Sequence, residues 1–247
     1  MMKLSVVVPT KNRPNELRGF LNSLWQQDLL PDQLIIIDQS IDSNIIKQEV
    51  EEKSKQLRIN INYIHDQNIN GLVHAKAVAI GYNNCSIISF YDDDIVMEKN
   101  CLKEMYNAFL DNPKMKAANG LILNAPMESL FKRIIFRLTH IGIYKDNRRE
   151  VFYQLIDKNV EQRLPKRLNT LSGGLTFYRK EIFEKVPFDD KNRFHAYEDK
   201  EHSIRLELNY PNSMYLIPKA RLYHYHAKRN RESELIKVKN DNIEIIK

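Results

Sequence analysis

The chain has 247 residues, 43% of them hydrophobic and 28% charged, and carries a formal net charge of +6 with a pI near 9.1. That balance suits one large α/β domain and favours anionic partners, whether a nucleotide, a phospholipid surface or nucleic acid. Two cysteines, Cys85 and Cys101, give neither a metal-type spacing nor a disulfide framework, which fits a reducing cytosol, and seven glycines are too few for a Gly-rich phosphate loop.

The opening Met1–Pro9 has too short an apolar stretch and no small-residue cleavage site for a secretory signal. Within it, Leu4–Val8 predicts a short buried strand. Pro14 then marks a helix start, and Glu16–Gln27 places Leu17, Phe20, Leu21 and Leu24 on one face. Leu34–Ile37 predicts a second strand ending on Asp38, followed by a charged amphipathic helix from Asn44 to Gln56. Arg58–Ile64 alternates Ile59, Ile61 and Tyr63 with polar neighbours, as a half-buried strand does. Gly71–Tyr82 predicts an alanine-rich helix and Ser86–Tyr91 a fourth strand of β-branched and aromatic residues. The next helix carries Leu102, Met105, Tyr106 and Phe109 and stops at Asp111-Asn112-Pro113. Four strand–helix repeats predict a mostly parallel sheet with right-handed crossovers and flanking helices.

The second half is less regular. Ala117–Leu123 predicts a strand, Leu130–Ile143 a basic amphipathic helix, Gly174–Tyr178 a strand and Glu198–Leu208 a helix. Residues from Tyr144 to Arg167 are polar and carry no clear period. Tyr215–His226 predicts a final strand pair, or one strand broken at Pro218. No stretch reaches the roughly 18 apolar residues of a membrane span. With no repeats and no low-complexity linker, the expectation is a single domain over 1–247. Its parts are a nucleotide-binding half (1–118), an acceptor-side half (119–227) and a charged tail (228–247).

Asp92, Asp93 and Asp94 stand at the end of the fourth strand. In open α/β sheets, ligands bind beyond the carboxyl ends of the strands. Three crowded carboxylates repel one another unless a cation sits among them, and oxygen ligands suit Mg²⁺ or Mn²⁺, which bridge phosphates. The competing reading is a solvated turn capping a helix that starts near Glu98. Pro9-Thr10-Lys11-Asn12-Arg13, Asp38-Gln39-Ser40 and Asp66-Gln67-Asn68 fall at the other strand ends. Converging on one sheet edge, they supply what a nucleotide site needs: acceptors for base and ribose, and cations for the diphosphate.

The ordered series of motifs resembles the family 2 glycosyltransferases, which have the nucleotide-sugar-binding fold called GT-A. Ser5–Pro14 is similar to the family's opening strand and loop, and Ile35–Ser40 to its second strand with a base-contacting aspartate. Asn70-Gly71-Leu72 through Lys76 resembles a segment where the family usually places an arginine, here replaced by Lys76. Tyr91–Asp94 resembles its Asp-x-Asp motif, Leu171–Gly174 its glycine pair, Tyr197-Glu198-Asp199 with Arg205 its catalytic acidic motif, and Ala220–His224 its late histidine.

The resemblance, which covers Lys3 to His226, implies an inverting, metal-dependent transfer of a sugar from a nucleotide-diphosphate donor to an acceptor hydroxyl. Surface polysaccharide or glycolipid synthesis is the implied setting. Asp199 would be the general base. Asp92, Asp94 and His224 would hold Mn²⁺ or Mg²⁺, with His226 an alternative to His224 and an imidazole favouring Mn²⁺. Pro9, Thr10, Lys11, Arg13, Asp38, Ser40, Gly71, Lys76, Asp92, Asp93, Gly173, Gly174 and Glu198 would line the donor site. The acceptor would be a carbohydrate or a lipid-linked sugar.

Two other classes compete. Sugar-phosphate nucleotidyltransferases usually open with a Gly-rich loop, and the loop after the first strand has no glycine. A nucleic-acid-binding module needs clustered Lys/Arg with interleaved aromatics. The cations here are spread along the chain, so no nucleic acid is expected. The expected location is cytoplasmic, at the inner face of the membrane if the basic helix docks there. That helix sets Leu130, Phe131, Ile134, Ile135, Leu138 and Ile141 on one side and Lys132, Arg133, Arg137 and His140 largely elsewhere. Such a pattern suits an interfacial helix on anionic lipid, and equally a helix packed on the domain with a solvated basic face.

Overall fold

A computed structural model describes residues 2–42, 44–126, 129–139, 141–142, 145–156, 164–191 and 198–225. His140, the stretch leading to Glu198 that contains Tyr197, His226 and the charged tail lie outside the described residues. One sheet runs through both halves of the chain. Strands β1 (Leu4–Thr10), β2 (Gln33–Asp38), β3 (Asn60–His65) and β4 (Ile87–Tyr91) are joined by helices α1 (Pro14–Trp25), α2 (Asn44–Leu57) and α3 (Leu72–Tyr82). They pair in parallel in the order β3-β2-β1-β4. The order reverses beside β1, so the crevice at the carboxyl ends of β1 and β4 is the switch point where such sheets bind ligands.

Beyond β4 the sheet becomes mixed. The added strands are β5 (Ile95–Met97), β6 (Ala117–Ile122), β7 (Lys166–Arg167), β8 (Leu175–Arg179) and β9 (Met214–His224). β8 lies antiparallel between β4 and β6, β9 runs parallel to β6, and β5 and β7 pair antiparallel with β9. Helices α4 (Cys101–Asp111), α5 (Leu130–Thr139), α6 (Arg148–Ile156) and α7 (Glu198–Asn209) complete the fold.

Period-2 alternation sorts the core onto the two faces of the sheet. Val6, Val8, Leu34 and Ile36 join Leu17, Phe20 and Leu24 of α1, Val50 of α2 and Leu102, Met105 and Phe109 of α4. Val7, Ile35, Ile37, Ile88 and Phe90 face the other way, with Val73 and Ala75 of α3, Phe152 of α6 and Leu206 of α7. The strands read as unbroken apolar runs because helices cover both faces.

Four sequence expectations are corrected. The segment after the aspartates is not a helix cap but β5, and α4 begins only at Cys101. The stretch from Tyr144 to Arg167 contains α6 and β7; α6 opens on the charged Arg148, Arg149 and Glu150, and its mostly apolar run, 151–156, is too short to show a helical period. Of the two readings of the last segment, the strand pair is corrected and the single strand interrupted at Pro218 is what forms, as β9. Pro218 falls where the β6–β9 register jumps from Gly120↔Ile217 to Leu121↔Arg221, a bulge that removes the need for its missing N–H. Finally, α5 ends at Thr139 among the described residues. No described helix is long and apolar enough to cross a membrane.

Candidate active site

The parallel strand ends meet as expected. Thr10 pairs with Asp38, and Asp38 with His65. Asp38 is buried with both oxygens engaged: Oδ1 accepts from the Ser40 amide at 2.9 Å and Oδ2 from the Tyr63 hydroxyl at 2.6 Å. Burial, with the hydrogen bond to Asp38, pushes the Tyr63 phenol up. Asn12, at φ 55, turns the β1 loop so that its amide donates to Ser40 Oγ at 2.7 Å. Asn tolerates that left-handed conformation better than most residues. Gly71, at φ 83, starts α3 and donates to Gln39 Oε1 at 3.1 Å. Pro9 and Thr10 are buried, and Lys11 is exposed at the loop tip.

The aspartate triplet splits by direction. Asp93 turns back into the sheet and accepts from Thr10 Oγ1 at 2.7 Å and Arg13 Nη1 at 2.6 Å. Burial raises its pKa to about 7, although Thr10 and Arg13 both favour the charged form. Asp92 and Asp94 face the other way, toward His224. Asp94 Oδ1 lies 3.0 Å and Asp92 Oδ2 3.5 Å from His224 Nε2. Arg13 Nη2 holds Asp94 Oδ2 at 2.8 Å. Burial works to lower the Arg13 pKa, and Asp93 and Asp94 more than reverse it, so it ends raised.

His224 reaches this place because β5 reverses after the triplet and pairs Ile95 with His224 on β9. Asn124, unremarked in the sequence, then fixes its backbone. Its Oδ1 accepts from the His224 amide and its Nδ2 donates to the His224 carbonyl, both at 2.9 Å.

Asp92, Asp94 and His224 each offer one ligand atom, all within 4.8 Å of one another. Two carboxylates and an imidazole are a donor set suited to Mn²⁺ and usable by Mg²⁺. Adjacent corners of an octahedron with bonds of about 2.1 Å lie about 3.0 Å apart. The Asp94–His224 separation matches that figure and the Asp92–His224 separation is slightly wider. The residues therefore fit a divalent ion.

The glycine pair forms the wall between this cluster and the candidate base. β8 brings it there by pairing Leu175 with Tyr91. A Cβ on Gly174 would sit 2.1 Å from Asp92 Oδ2, and one on Gly173 would sit 3.1 Å from Glu198 Oε1 and 3.3 Å from Asp199 Cβ. At Gly174 a side chain would force Asp92 aside, and at Gly173 it would press on Glu198 and Asp199. Lys76, buried on α3, supports the wall by donating to the Gly173 carbonyl at 2.9 Å. Asn119 of β6 secures the approach: its Oδ1 accepts from the Ser172 amide at 2.8 Å and its Nδ2 donates to the Leu175 carbonyl.

Asp199 lies in the first turn of α7, where a carboxylate is favoured by the helix dipole. Its Oδ1 accepts from the Lys200 amide at 2.8 Å and its Oδ2 from Arg148 Nη1 at 3.1 Å. Arg148 also grips buried Asp146, Nη2 to Oδ2 at 2.7 Å, and donates to the Leu171 carbonyl at 2.7 Å. Burial tends to raise the Asp146 carboxyl, but the guanidinium outweighs it and leaves the pKa lowered. Arg148 lies in the stretch that showed no period; an acidic-basic doublet with one residue between, Asp146 and Arg148, was the available signal. Arg205 does not join the site. It pairs with Glu201 and donates to the Pro187 carbonyl at 2.6 Å, tying α7 to the preceding loop.

The chain is similar to known proteins in sequence, in fold and in family. At 28% identity over 212 residues, the chain is similar to the poly(ribitol-phosphate) beta-N-acetylglucosaminyltransferase TarS of Staphylococcus aureus, with 72% of this chain and 35% of TarS covered. The chain thus spans about a third of the length of that relative. Among solved structures, S. aureus TarS 1-349 superimposes with a TM-score of 0.63 at 18% identity, covering 90% of this chain and 60% of that one. The mannosyltransferase PcManGT from Pyrobaculum calidifontis, in complex with GDP-Man and Mn²⁺, gives 0.64 at 15% identity, covering 94% and 59%. At these identities the structures establish a shared fold, that of the GT-A glycosyltransferases. The model of "Glycosyl transferase family 2" matches residues 5–187, most of the chain, and the protein belongs to that family.

Proposed function

We propose that this protein transfers a sugar from a nucleoside-diphosphate donor to an acceptor hydroxyl, with inversion at the anomeric carbon. The observation that carries the reading is the glycine pair, with Asp92 of the Asp92–Asp94–His224 cluster against one glycine and Asp199 against the other. A donor bridging that wall would have its diphosphate beside the first group and its anomeric carbon toward the second. The fold relatives support a nucleotide-sugar donor and a divalent metal: PcManGT was solved with GDP-Man and Mn²⁺, GalNAc-T7 with UDP, GalNAc and Mn²⁺, and TarS 1-349 with UDP-GlcNAc.

The division of labour follows from position. Thr10, Asp38 and Ser40 lie at the strand ends where base and ribose would rest, with Tyr63 and Asn12 fixing their orientation. Arg13 neutralises part of the carboxylate charge and holds Asp94 in place. Asp92, Asp94 and His224 would hold Mn²⁺ or Mg²⁺. When bound, the ion supplies positive charge to the diphosphate as it departs. Asp199 takes the proton of the acceptor hydroxyl while its oxygen bonds to the anomeric carbon and the carbon–oxygen bond to the diphosphate breaks. Arg148 keeps the Asp199 carboxylate directed along the wall. A single base is enough here, unlike the paired carboxylates of glycoside hydrolysis. TarS suggests UDP-GlcNAc as the first donor to try and poly(ribitol-phosphate) as the first acceptor; a surface polysaccharide or glycolipid is the wider acceptor class we propose.

The test is Asp199→Asn. It keeps the shape but turns one of the two acceptors, toward the Lys200 amide or Arg148, into an NH₂ and accepts no proton, so kcat should fall about a hundred- to ten-thousand-fold with donor affinity nearly intact. Product linkage, read by NMR, should be opposite to that of the donor. Near wild-type turnover, or retained configuration, would overturn the mechanism.

A further inference from the structure

Helix α5 sits with its apolar side outward. Arg133 stacks on Tyr153 of α6 at 4.1 Å, and Arg149 of α6 stacks on Phe136 at 4.4 Å. These cation–π contacts set the rotation of the helix. Phe131, Ile134, Ile135 and Leu138, spaced i, i+3, i+4, i+7, are left facing solvent. Phe131 is 71% exposed and Leu138 72%, and Ile141, just beyond the helix, is 69% exposed. A contiguous outward stripe of this kind marks a contact surface rather than a stray surface leucine.

The charge around the stripe identifies its occupant. From Ser129 to Gly142 the sequence has Lys132, Arg133 and Arg137 and no aspartate or glutamate. A second copy placed face to face would set these cations against their own images near an apolar contact, which is unfavourable. A soluble phosphate polymer would meet the cations but offer the apolar ridge nothing in which to bury. An anionic lipid surface meets both demands: headgroups for the cations and acyl chains for the ridge. We infer that α5 is an interfacial helix through which the protein lies on an anionic membrane, Phe131, Ile134 and Leu138 inserting below Lys132.

The experiment uses the full chain with phosphatidylcholine vesicles, with and without phosphatidylglycerol. Sedimentation should retain the protein on the anionic vesicles at low salt, with release as salt screens the headgroups. Phe131→Glu with Leu138→Glu should lower the partition coefficient on the order of tenfold or more, because charge replaces the inserting groups. Both positions are exposed, so the melting temperature should stay at the wild-type value. In Phe131→Trp, brominated lipid should quench the new fluorescence, against a background from Trp25 measured in wild type. Undiminished vesicle binding by the double glutamate variant, or no quenching at position 131, would overturn the inference. So would a wild-type dimer, seen by analytical ultracentrifugation, that the glutamates dissolve.

Discussion

Substituting Gly174 by alanine isolates the role of the glycine wall. Gly174 does not occupy the left-handed region, so alanine brings no backbone strain; its effect is steric. The new Cβ would lie 2.1 Å from Asp92 Oδ2 and 2.7 Å from its Cγ. Ordinary contact begins near 3.4 Å, so the carboxylate must retreat by about 1.3 Å. Metal–ligand distances tolerate about 0.2 Å, so Asp92 leaves the ligand set. Disturbing even the partners that orient metal ligands weakens metal affinity about 10- to 100-fold, and displacing a ligand should do at least as much. Each tenfold corresponds to about 1.4 kcal/mol, so the variant should lose at least about 1.4 to 2.8 kcal/mol of Mn²⁺-linked binding. Isothermal titration of Mn²⁺ in the presence of a nucleoside diphosphate measures this directly. Gly81→Ala, in α3 with nothing within 4 Å of its Cβ position, is the matched control and should bind as wild type. If Gly174→Ala also binds Mn²⁺ with wild-type affinity, Asp92 is not a ligand and the reasoning fails.

Two further outcomes are expected. Arg148→Met leaves Asp146, whose side chain is 4% exposed, without its cation, which should cost about 3–5 kcal/mol in urea unfolding. Arg148→Lys should recover part of that loss, and equal stability of Arg148→Met and wild type would refute the pairing. His202 is buried among Tyr178, Phe183 and Phe188, and burial pulls its pKa down to about 3. The unfolded chain takes up that proton near pH 6.5, so between pH 6.5 and 3 the unfolded state binds more protons and stability falls as pH falls. The His202 contribution to that loss is about 2 kcal/mol at pH 5. Denaturant unfolding of His202→Phe should show a shallower slope across this window, and an unchanged slope would refute the assignment.

Local pattern was enough for much of this molecule. Val6, Val7 and Val8 alternate between the two faces of β1, and a run of that kind is buried on both sides whatever it packs against. Because parallel strands all end at one edge, Thr10, Asp38 and the aspartates were bound to meet once the strand–helix repeats were recognised. The glycine pair and Asp199 were legible through their order along the chain, although neither segment is distinctive by itself.

Tertiary structure decided what short-range pattern does not encode. Strand β8 runs antiparallel beside β4, and that direction alone sets Gly174 against Asp92. Strand β5, three residues long, turns the chain back so that His224 can face Asp94. Asp93 went to Thr10 and Arg13 rather than to the cluster, a choice made by partners about 80 residues away. Asn119, Asn124 and Arg148 look unremarkable in sequence because each acts through a backbone or carboxylate partner far along the chain. The amphipathic stripe of α5 was plain from its spacing, but its outward direction was not. Hydrophobic periodicity fixes which residues share a face; the packing of Arg133 on Tyr153 and of Arg149 on Phe136 determines which face is turned to solvent.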